Sequence, residues 1–110
     1  MPISEKFQLG WLAGILEGEG YFGTNGKSRT PLIRLGMTDK DVIDRAAVIL
    51  GQHKATTQAL SSGKTFYIIF CNGATSRYWM KRLRPYMGER RQARIDKVLS
   101  EAAEPRRAHL

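Results

Sequence analysis

The sequence predicts an α+β fold of order αββαββα with one further helix at the end. Three observations predict it. Apolar residues recur at helical spacing over residues 5–18 and 40–50. Each of these stretches is followed by two segments of strand length and β-rich composition. Turn signals divide each strand pair, Asn25-Gly26 in the first and Ser61-Ser62-Gly63 in the second.

The elements follow in order. Ser4 can cap a helix over residues 5–18, whose apolar positions include Leu9, Leu12 and Leu16. A strand starts near Gly20, and a second over residues 32–37 alternates Ile33, Leu35 and Met37 with Leu32, Arg34 and Gly36. Thr38 or Asp39 caps a helix over residues 40–50, which Gly51 ends. Strands are expected over residues 53–60 and 64–71. A helix over 75–83 stops before Pro85, and the last runs over 89–103 until Pro105. The chain is expected to form one domain over residues 1–104, with a short basic tail at 105–110.

The stretch Trp11-Leu12-Ala13-Gly14-Ile15-Leu16-Glu17-Gly18-Glu19-Gly20-Tyr21-Phe22 stands out. It puts two carboxylates at a helix C-terminus, where the helix dipole disfavours them. Gly10, Gly14 and Gly18 lie four residues apart and so share one helix face. Each costs about 1 kcal/mol relative to alanine, and together they let another backbone come close. The apolar run, broken by Gln8 and Glu17, is shorter than the roughly 20 residues a membrane span needs. A solvated helix end is the plain alternative. Against it stands the order of glycines, then acids, then a strand.

Residues 12–20 read L-A-G-I-L-E-G-E-G, which resembles the signature of the LAGLIDADG homing endonuclease family. The resemblance implies a half-domain whose four antiparallel strands form a saddle backed by helices. One motif copy per chain implies a homodimer, with the motif helices of two chains packed at a two-fold axis. Gly10, Ala13, Gly14, Glu17 and Gly18 are then the interface positions. Glu19 matches the family's metal ligand, helped by the Gly18 carbonyl. The usual motif has Asp where Glu17 and Glu19 stand; glutamate keeps the charge on an arm one methylene longer. Asp39 falls where the family often places a residue that orders water, and its plain reading is a helix cap. Arg90 or Arg91 falls where a basic residue polarises the phosphate. The implied activity is site-specific cleavage of double-stranded DNA with Mg²⁺ or Mn²⁺, of the kind that moves an intron or intein. A metal held by carboxylates suits that chemistry, because phosphodiester hydrolysis needs an attacking water and charge neutralisation.

Bulk properties agree with a polyanionic partner. Lys and Arg number 18 against 10 acids, a formal charge of +8, which favours nucleic acid first and an anionic membrane surface second. The single cysteine, Cys71, excludes an internal disulfide and a cysteine-based zinc cluster. No signal peptide or membrane span is evident, so a cytoplasmic protein is expected, bacterial or phage-encoded with an organellar origin as the alternative, without membrane or small-molecule partners. The expected DNA-contacting residues on the saddle are Lys27, Arg29, Arg34, Lys54, Thr56, Gln58, Lys64 and Tyr67, because side chains two apart on a strand meet base edges in the major groove. A second basic cluster at residues 77–97 is expected to meet phosphate or solvent, with Trp79 and Tyr86 in the core. Two other readings remain open: a cleavage-inactive DNA- or RNA-binding relative, such as a maturase or transcription regulator, and a small oligomerising scaffold.

Overall fold

The computed structural model describes residues 4–52 and 55–102. The elements run α1 (Glu5–Glu19), β1 (Gly20–Thr24), β2 (Pro31–Met37), α2 (Lys40–Leu50), β3 (Thr56–Ala59), β4 (Thr65–Asn72), α3 (Gly73–Leu83), a 3-10 turn (Arg84–Tyr86) and α4 (Glu89–Glu101). This is the expected αββαββα order with its extra helix. The strands form one antiparallel sheet in the order β1-β2-β4-β3.

The local chemistry accounts for the boundaries. Ser4 Oγ accepts the Phe7 N–H at 3.1 Å and starts α1. Gly51, at φ 77°, ends α2 in the left-handed region that favours glycine. Asp39 holds the N-cap position of α2, but its side chain makes no capping hydrogen bond, contrary to the plain reading of that residue. α1 passes into β1 with no loop between them. At that junction the Gly20 N–H donates to Leu16 O. A Cβ on Gly20 would stand 2.8 Å from Leu16 O and 3.0 Å from Leu16 Cα, so only glycine fits.

One face of the sheet carries the core. Phe22 of β1, Ile33 and Leu35 of β2, and Ile69 and Cys71 of β4 are all buried there. Leu9, Leu12, Ala13 and Leu16 of α1, Ile43 and Leu50 of α2, Met80 and Leu83 of α3, and Ile95 and Val98 of α4 close over them. Each such large apolar side chain contributes about 1.5–3 kcal/mol by leaving water. Burial also pushes the Cys71 thiol up to about 11. Trp79 packs on this core as expected, whereas Tyr86 is 57 % exposed and does not. The other face of the sheet is open.

β1 is an edge strand, and α4 covers its outer side. Arg91 Nη1 donates to Gly20 O at 2.5 Å, and Arg94 Nε donates to Phe22 O at 2.8 Å. Residues three apart on a helix thus meet carbonyls two apart on a strand, which blunts the edge against pairing with another chain.

Candidate nucleic-acid interface

The register decides what the open face presents. Tyr21 of β1 lies opposite Arg34 of β2, which lies opposite Phe70 of β4. Gly36 lies opposite Ile68, and Ile68 opposite Thr56 of β3. Gln58 lies opposite Phe66. At the end of this face a concavity of about 370 Å³ is lined by Glu19, Tyr21, Arg34, Gly36, Gln58, Phe66 and Ile68. The last acid of α1 and two of the expected base-contacting residues therefore share one hollow. The junction without a loop puts them together, because it carries Glu19 directly onto the lip of the sheet.

Glu19 is exposed, and its carboxylate has no hydrogen-bond or ion-pair partner among the described residues. Arg34 is exposed too, with its guanidinium 5.1 Å from the Tyr21 ring centroid. Arg94 approaches the same ring at 5.8 Å, so two cations hold Tyr21 in place. The ring reclines over Gly23, where a Cβ would stand 2.6 Å from Tyr21 Cε2.

A second hollow, also about 370 Å³, lies on the other side of Tyr21 and is lined by Tyr21, Phe22, Arg90, Arg91 and Arg94. The two candidate basic residues separate clearly here. The Arg91 side chain is 13 % exposed, bonded to Gly20 O and with its Nε 3.7 Å from Glu17 Oε2. Arg90 is exposed and has no hydrogen-bond or ion-pair partner among the described residues. Arg90 is thus the cation available to a ligand, and Arg91 holds the fold.

Glu17 proves to be an internal tie. Its Oε1 accepts the Gly88 N–H at the start of α4 at 2.5 Å. Gly10, Gly14 and Gly18 form an open stripe on α1, with nothing within 4 Å of a Cβ built on any of them. Ala13 departs from the interface expectation, since it is 4 % exposed and packs in the core of its own chain. Asp39 is exposed but does not line the Glu19 hollow.

Several expected contact residues sit elsewhere than on the saddle. Tyr67 pairs with Met37 and Thr57 on the helix-covered face, because neighbours along a strand point to opposite sides. Arg29, at φ 57°, turns its guanidinium to the Glu101 carbonyl at the end of α4, 3.0 Å away. Lys27 and Lys64 are exposed in loops. Lys54 lies outside the described residues. Sequence reasoning missed Phe66, Ile68 and Phe70 as open-face residues.

The later basic cluster is largely structural. Arg84 binds Asp96 through two hydrogen bonds of 2.6 and 2.8 Å. Arg82 pairs with Glu5 and accepts support from Tyr78, whose hydroxyl takes a hydrogen bond at 2.7 Å.

Comparison with solved structures places this architecture. The homing endonuclease I-CvuI in complex with its target matches with a TM-score of 0.60 and 18 % identity, over 86 % of this chain and 65 % of that one. The archaeal intron-encoded homing endonuclease I-Vdi141I complexed with DNA matches with a TM-score of 0.61 and 12 % identity, over 97 % and 91 %. The group I intron-encoded I-CeuI complexed with DNA matches at 0.58 and 13 %, over 91 % and 55 %.

The chain has the LAGLIDADG homing endonuclease fold.

It spans less than two thirds of the I-CvuI and I-CeuI chains. No family model and no curated protein matches the sequence. Within the LAGLIDADG fold the motif helix is α1, and its final acid is Glu19. Among the described residues no helix is long and apolar enough to cross a membrane.

Proposed function

We propose that the protein is a site-specific endonuclease of double-stranded DNA, with the open face of the sheet in the major groove and Glu19 at the scissile phosphate. The observation that carries this is the shared hollow of Glu19, Arg34 and Gln58. The charge of +8 and the DNA-bound homing endonucleases of like fold support it.

The donor set fits a divalent cation as half a site. Among the described residues no three metal-ligating side chains gather; from one chain the exposed Glu19 carboxylate, with the Gly18 carbonyl beside it in sequence, would hold the cation. Magnesium takes hard oxygen ligands, needs one or two carboxylates and keeps several waters. Two copies of the chain, paired along the open glycine stripe of α1, supply two such carboxylates. A bound divalent cation supplies charge neutralisation at the phosphate and activation of the attacking water.

The chain's own residues do the rest. Glu19 holds the cation through its unpartnered carboxylate. Arg34 and Gln58 hydrogen-bond base edges and fix the register on the duplex. Arg90 places positive charge beside a backbone phosphate.

The test is incubation with a randomised duplex library, with and without Mg²⁺, followed by sequencing of new ends. Discrete double-strand ends that require the cation support the reading. Salt-sensitive binding without ends would make the chain a DNA-binding relative that does not cut. Binding with no salt dependence would remove the nucleic-acid reading, because phosphate contacts release counterions and give a steep salt slope.

A further inference from the structure

The strands do not present the same chemistry to the open face. β2 offers Arg34, and β3 offers Thr56 and Gln58. β4 lies between them and offers Phe66, Ile68 and Phe70. Phe70 is 39 % exposed and stands directly opposite Arg34. Ile68 is half-buried between Gly36 and Thr56. Phe66 leans over Gly36, where a Cβ would stand 2.6 Å from Phe66 Cε2. The middle of the face is thus an apolar strip flanked by hydrogen-bonding groups. It is not part of the core, which the alternate residues Ile69 and Cys71 join on the opposite side.

An apolar strip on a central strand, rimmed by polar side chains, marks a contact surface. In the major groove of duplex DNA, base edges present hydrogen-bond donors and acceptors, and thymine adds an apolar C5-methyl group. A guanidinium reads guanine there; a phenyl or branched aliphatic group has only the thymine methyl to pack against.

We propose that Phe66, Ile68 and Phe70 of β4 are specificity residues that pack on thymine 5-methyl groups of duplex DNA, beside a guanine read by Arg34. This rests on the DNA-binding reading above. β4 then selects T·A pairs by shape and burial, while β2 and β3 select by hydrogen bonds.

The experiment uses the wild-type protein in EDTA to select bound duplexes from a randomised library. Each thymine of the recovered site is then replaced by deoxyuridine, which deletes the methyl group and keeps every hydrogen bond. Affinity is expected to fall roughly fourfold at each thymine facing β4, the factor that burying one methyl supplies, and to stay unchanged elsewhere. Ile68→Gln should lose that sensitivity at one position and gain a preference for adenine, whose N6 and N7 a carboxamide pairs. The deoxyuridine comparison stands without any variant, and Phe70→Ser provides a second one. Equal binding of thymine and deoxyuridine duplexes at every position would overturn the proposal while leaving DNA binding intact. Loss of salt-dependent binding itself would overturn the reading beneath it.

Discussion

The carboxylate of Glu17 accepts the backbone N–H of Gly88 at 2.5 Å, across 71 residues of sequence. Gly88 is the N-cap residue of α4, which has no side-chain cap of its own. Glu17 therefore ties the end of the motif helix to the start of the helix that guards β1. The anion also lies at the positive end of the α4 dipole. Loss of a capping group costs about 0.5–2 kcal/mol. Glu17→Ala should lower stability by about that amount in urea unfolding, and Glu17→Gln by less.

Arg94 should matter through the same region. Its Nε holds Phe22 O at the outer edge of β1. A hydrogen bond to a charged group contributes about 1.5–3 kcal/mol, and this one is part-buried. Arg94→Ala should lower the urea midpoint with an unchanged slope, and it should promote self-association, because the strand edge is uncovered. Light scattering during concentration reads the second effect.

Gly20→Ala tests the junction. The added methyl would meet Leu16 backbone atoms as well as the Leu16 side chain. Such overpacking costs about 1–3 kcal/mol. Gly14→Ala has open space around it and should cost the isolated chain nothing, since alanine is the better helix former. The contrast between the two, read by thermal unfolding, separates the steric glycine from the surface one.

Acid should weaken the tie between the 3-10 turn and α4. The two hydrogen bonds from Arg84 hold the Asp96 carboxyl below its ordinary value of 3.8. A depressed carboxyl contributes stability above its unfolded-state value and loses it as pH falls through the folded one. Both side chains are substantially exposed, so the effect is small. Asp96→Asn should be less stable than wild type at pH 7, and the gap should close as pH falls below 3.8.

Helices were easier to read than faces. α2 runs over Lys40–Leu50 as expected, because apolar periodicity and the Gly51 stop signal agree. A strand was expected over residues 53–60, of which 53 and 54 lie outside the described residues; among the others β3 takes Thr56–Ala59 and leaves out Ala55 and Leu60, because its sequence is too polar to mark its ends. β4 is apolar at both parities, from Phe66 to Cys71, so no alternation in its sequence tells the open face from the core. Its pairing with β2 decides that, and so Tyr67 was expected on the wrong side. The place of Glu19 at the end of α1 was legible because its motif is local. The bonds of Glu17, Arg29 and Arg91 join residues 71 or 72 apart, and nothing near them in sequence announces their partners.

The central claim is that Glu19 is the acid through which the chain cuts DNA. It is tested most directly by cleavage of one recovered duplex site with wild-type protein and with Glu19→Gln, each with Mg²⁺ and with EDTA. The account predicts double-strand ends from wild type with Mg²⁺ alone, at a rate more than about 10²-fold above Glu19→Gln, and equal folding and DNA binding of the two proteins. Ends that appear at the same rate from Glu19→Gln would contradict it.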